Sequence, residues 1–129
     1  MNTYLIASAV LAFVVGGVHS ALGEWLIFRR MRFAGFVPTN GGTVLQERHV
    51  RILWASWHIA TAFGWGIAAI LFCLALPSSS HDLTRPVSLA ISVAMLASSL
   101  LVLIGTKGKH PGWVGLLGVA VLAFMGQNA

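Results

Sequence analysis

Two histidines, a glutamate and an arginine carry most of the chemistry open to this sequence, because all four lie in or beside strongly apolar runs. His19 and Glu24 stand in Gly16-Gly17-Val18-His19-Ser20-Ala21-Leu22-Gly23-Glu24-Trp25, and Arg51 and His58 belong to a second apolar run. An ionisable side chain in hydrocarbon costs roughly 2.5–3.5 kcal/mol on insertion scales, so a chain that keeps one there usually supplies a partner. Imidazole ligates haem iron and transition metals, and a carboxylate in such a place needs a cation or a proton.

Depth ties the two histidines together. His19 lies about nine residues before the basic end of the first run, and His58 about nine or ten after the basic start of the second. At 1.5 Å per residue both sit roughly 14 Å in, and because the runs are antiparallel the imidazoles share a level. Steps of about 100° put Gly16, His19 and Gly23 on one stripe, leaving space beside the imidazole. Arg51, Trp54, His58, Thr61 and Trp65 form a stripe on the second run. Glu24 falls about 140° from His19 and comes level with Arg51, so an ion pair between Glu24 and Arg51 is expected.

The sharpest reading of this layout is a b-type haem with His19 and His58 as axial ligands. Glycines would make room for the porphyrin, Trp54 and Trp65 would line it, and Arg51 or Arg48 would pair with the propionates. In that one respect the layout resembles membrane-bound cytochromes b. Close-packed helices stand only 8–10 Å apart, so a haem between these two requires them to be diagonal or splayed. A second reading is a transition-metal site of His19 and His58 with Glu24 or His110 as the third ligand. No i, i+4 ligand pair supports it, and His110-Pro111 stands at the mouth of the last apolar run. The plainer alternative is polar packing, for which Ser20, Ser56 and Thr61 are available hydrogen-bond partners. A cofactor-free accessory subunit of a larger membrane complex, or a small transporter relaying protons through Glu24 and His19, would follow from that alternative.

The elements that must position these residues are read from composition. Of 129 residues 57% are hydrophobic and only 9% charged, against about 25% charged in an ordinary soluble domain. One domain is expected: an all-α integral membrane four-helix bundle with spans at about 3–28, 49–76, 86–104 and 111–126. Val18-His19-Ser20 has the form of a cleavage site, but Met1-Asn2-Thr3-Tyr4 carries no Lys or Arg, so the first run is expected to be a retained span. Thr84 is a suitable cap for the third span, with Pro86 in its first turn.

Arg29, Arg30, Arg32, Arg48, Arg51, Lys107 and Lys109 gather at the first and third connections, and only Arg85 lies at the other side. The positive-inside rule then puts those connections in the cytoplasm and both termini on the non-cytoplasmic side, in a membrane of the bacterial inner type. Trp25, Trp54 and Trp113 are expected as interfacial anchors. The net charge of +5 has no soluble face to act from, so nucleic acid is not an expected partner. The lone Cys73 excludes an intrachain disulfide and a cysteine cage for metal.

The first connection is long enough to set the first two helices diagonally across the bundle. The second, Pro77 to Asp82, reads as a polar external turn. Ala90, Ala94 and Ser98 on the third span, and Gly112, Gly115 and Gly118 on the fourth, mark faces for close packing or self-association. The sequence carries no phosphate-cradling glycine loop, nucleophile elbow, paired carboxylates or HExxH helix.

Overall fold

The computed structural model describes residues 2–76 and 83–126. The Pro77–Asp82 turn lies outside the described residues. Four helices carry the chain: α1 (Thr3–Leu26), α2 (Glu47–Ala75), α3 (Thr84–Thr106) and α4 (Gly112–Gly126). The first three are long and apolar enough to cross a membrane. With 15 residues α4 spans roughly 22 Å, short of a hydrocarbon core of about 30 Å. Their outward faces are apolar: Leu11, Phe13 and Val15 on α1, Ile67 and Phe72 on α2, and Val93 and Ile104 on α3 are all exposed. Water would not tolerate such a surface, and lipid satisfies it.

Local chemistry explains the helix ends. Asn2 caps α1 by accepting from the amides of Tyr4 and Leu5 at 3.1 and 3.3 Å. The third helix begins at Thr84 itself with Leu83 in the cap position, and Pro86 falls in its first turn as expected. Lys107 and Gly108 take left-handed φ values of 54° and 73°. The Gly108 amide then bonds back to the Leu103 carbonyl at 2.8 Å, closing α3 and turning the chain toward α4.

The helices pack in chain order, α1 on α2, α2 on α3 and α3 on α4. The expected diagonal placement of the first two is therefore corrected: α1 lies directly against α2. Four bonds hold this antiparallel pair in register. Asn2 donates its amide to the Ala75 carbonyl at 2.9 Å, and Trp65 donates to the Phe13 carbonyl at 3.0 Å. Thr61 reaches the Gly16 carbonyl and Trp57 the His19 carbonyl, both at 3.0 Å. Lipid offers no hydrophobic drive for helix association, so such bonds and close packing carry it.

The same contacts explain the glycines of α1. A Cβ on Gly16 would lie 3.0 Å from the Trp65 indole nitrogen, and one on Gly23 would fall onto the Trp57 indole. The space expected beside His19 is thus taken by tryptophan. On α3, Ala94 and Ser98 are buried, and Ala94 faces Gly66 of α2, as the small-residue spacing implied. Gly115 and Gly118 of α4 face open space instead, and α4 is joined to α3 by Ser99, which donates to the Trp113 carbonyl at 2.8 Å.

The long first connection folds back under α1 and α2. A short 3-10 turn, Phe28–Met31, buries Phe28 against Trp54 and Ala55, and the Met31 carbonyl accepts from the Thr39 and Asn40 amides. Phe36 sets its ring edge-on to Trp54 with centroids 5.5 Å apart. Trp54 is only 2% exposed, so it is a core residue and not the interfacial anchor its position suggested.

Candidate functional site

Because α1 and α3 both pack on α2 and not substantially on each other, a groove of about 990 Å³ runs along α2 between them. Its walls are apolar for most of their length: Ala62, Gly66, Ala69 and Cys73 on α2 face Leu89, Ala90, Val93 and Ala97 on α3. One end differs. There Ser20 and Glu24 of α1, Trp54 and His58 of α2, and Arg32 and Phe36 of the first connection line the groove.

Glu24 is the hub of this end. One Arg32 nitrogen, Nη2, donates to both carboxylate oxygens at 2.5 and 2.6 Å, and the Trp54 indole donates to Oε1 at 3.0 Å. Arg32 is held in place by its Nε, which donates to the Phe36 carbonyl at 2.7 Å. The expected Glu24–Arg51 pair is therefore corrected. Arg51 points toward α3, bonding Glu47 at 2.7 Å and the Gly105 carbonyl at 3.2 Å, one turn nearer the helix start than the site.

His58 stands beside Glu24, with Nε2 at 3.7 Å from Oε1. Its Nδ1 meets Ser20 Oγ at 2.7 Å, Ser20 Oγ meets Thr61 Oγ1 at 2.7 Å, and Thr61 bonds the Gly16 carbonyl. The Nε2 atom is buried and has no hydrogen-bond partner among the described residues. The Trp54 ring stands edge-on to the imidazole at 4.9 Å.

The two histidines share a level, as their depth implied, but not a site. His19 stacks flat on Trp57, with centroids 4.4 Å apart and planes 7° from parallel. It borders a separate, smaller hollow with Ala12, Val15, Ala60 and Gly64, on the other side of the α1–α2 seam from His58. The arrangement therefore does not offer both imidazoles to one haem. His110 is further removed: its Nδ1 accepts the Gly112 amide at 3.1 Å and caps the start of α4. Among the described residues no three His, Cys, Asp or Glu side chains gather as a metal-binding group; of His19, His58, Glu24 and His110 the structure brings His58 and Glu24 side by side.

Arg32 is the site residue that sequence reasoning passed over, since it stands among the basic residues that mark membrane orientation. Its spacing of eight residues from Glu24, across a helix end, was the available signal. Ser20 and Thr61 were named only as generic polar partners, and the structure places both in one chain of bonds with His58.

No protein-family model matches this sequence, and no curated protein or solved structure is similar to it.

Proposed function

We propose that this chain is a membrane-embedded binding protein for a neutral, lipid-soluble amphiphile, its tail along the α2–α3 groove and its head at His58, Glu24 and Arg32. The observation that carries the reading is the groove's polarity: polar groups gathered at one end of an otherwise apolar channel. About 990 Å³ lies at the upper end of the 300–1,000 Å³ usual for small-molecule sites. Gly35 and Phe36 of the first connection line the polar end. Polar groups confined to one end suit a molecule with a head and a tail better than a helix running the whole length.

Charge accounting favours a neutral occupant. Glu24 is already matched by Arg32, so a cation at this carboxylate would have to displace the guanidinium. The carboxylate is thereby less available to a metal than it looked from sequence.

The test uses the full chain in detergent micelles and a dodecanol brominated at its tail, which quenches tryptophan fluorescence on contact. Quenching is expected to saturate with mole fraction of the probe. Replacing Ala62 or Ala97 by Phe, which fills the groove, is expected to weaken it about tenfold. Quenching that rises linearly and ignores both substitutions would overturn the reading.

A further inference from the structure

We infer that the head group this site selects is a hydroxyl, a hydrogen-bond donor, in preference to a carbonyl, ether or ester of the same size. The inference rests on the amphiphile reading above and follows from where the protons must be.

The count begins at a backbone carbonyl. The Gly16 oxygen can only accept, so Thr61 spends its one hydroxyl proton there. Ser20 must then be the donor across its 2.7 Å contact with Thr61. With that proton used, the Ser20 oxygen is left to accept from His58, which places the imidazole proton on Nδ1. The opposite tautomer would require Ser20 to donate to His58 and Thr61 to donate to Ser20, giving up the bond to Gly16. A neutral imidazole with its proton on Nδ1 presents a lone pair at Nε2.

No bond among the described residues satisfies that lone pair. The Trp54 N–H is committed to Glu24, the Arg32 Nε–H to the Phe36 carbonyl, and Arg32 Nη2 to the carboxylate. Glu24 itself is acceptor-only once ionised. The neighbouring Glu24 Oε1 stands 3.7 Å from Nε2, too far for a direct bond, and already accepts from Arg32 and Trp54, so Nε2 alone is in want of a hydrogen. Protonating His58 would supply one, but it would leave a net positive charge at this depth, beside a carboxylate already neutralised by Arg32. A hydroxyl supplies the hydrogen with no charge. Because Nε2 is buried, the neighbouring side chains must part for the hydroxyl to reach it, and the hydroxyl then donates its one hydrogen there. A carbonyl or ether would set another acceptor against a lone pair that already lacks a donor.

The experiment compares the tail-brominated dodecanol with its methyl ether at equal mole fraction in micelles holding the full chain. The alcohol is expected to bind about tenfold tighter, the factor that corresponds to one well-made hydrogen bond to a buried acceptor. His58→Leu is expected to bring both probes to the same weak affinity, and His19→Leu to leave the tenfold difference intact. Nitrogen-15 spectra of histidine-labelled wild-type chain provide a measurement that needs no variant: His58 is expected to carry its proton on Nδ1. Equal binding of alcohol and ether, tighter binding of the ether, or a proton on Nε2 would overturn the hydroxyl preference while leaving the groove occupied. Failure of both probes to saturate would instead bring down the amphiphile reading itself.

Discussion

Arg32 reaches back from the first connection to hold both carboxylate oxygens of Glu24 with a single nitrogen, at 2.5 and 2.6 Å. This one pair joins α1 to the loop that lines the groove's polar end and balances the charge there. Removing the guanidinium leaves a half-buried carboxylate with only the Trp54 indole as donor. Arg32→Ala is expected to destabilise the fold by about 3 kcal/mol, the lower part of the range for orphaning one member of a buried pair. Adding Glu24→Gln to that variant is expected to restore part of the loss, because the orphaned charge is gone. Unfolding in mixed detergent micelles, followed by circular dichroism, measures both, and a double variant no better than the single would contradict this account.

Two glycine positions on α1, Gly17 and Gly23, make a controlled pair. Gly23→Ala drives a Cβ into the Trp57 indole, so Trp57 must shift from the His19 carbonyl. A cost of about 1–3 kcal/mol is expected from such overpacking. At Gly17 a new Cβ meets nothing within 4 Å, and alanine there is expected to stabilise the helix by up to about 1 kcal/mol. Thermal midpoints of the two variants should move in opposite directions.

The indole bonds from α2 to α1 carbonyls can be weighed one at a time. Trp65→Phe removes the donor to Phe13 and keeps much of the ring stacking, so a loss of about 0.6 kcal/mol is expected, as for other interhelical bonds in membranes. Trp57→Phe should cost more, since the His19 ring stacks directly on that indole. The comparison is read from the same unfolding curves.

Histidine substitutions separate site residues from structural ones. His110→Ala removes the acceptor for the Gly112 amide and is expected to cost about 1 kcal/mol through its cap, with no change in probe binding. His58→Leu should weaken binding of the hydroxyl probe about tenfold, to the level of its methyl ether. Fluorescence titration of each variant decides, and loss of binding in His110→Ala would contradict this separation of roles.

Much of the architecture was legible in sequence because hydrophobic length and charge distribution are one-dimensional quantities. Helix ends, the shared depth of His19 and His58, and the close-packing role of Ala94 and Ser98 follow from counting residues along a rod. Direction around the rod, and which partner a charge takes, do not. Arg32 and Arg51 are equally basic and both close to Glu24 in depth, yet only the fold of the first connection decided between them. Likewise glycines beside His19 announced space without saying whose ring fills it, and Trp57 fills it from α2. By itself the sequence determined that apolar helices carry two imidazoles and a carboxylate at depth, since that cost is set by residue type. The tertiary structure decided that one imidazole stacks on an indole while the other keeps an unmatched lone pair beside a groove, because that depends on how α1 is turned against α2.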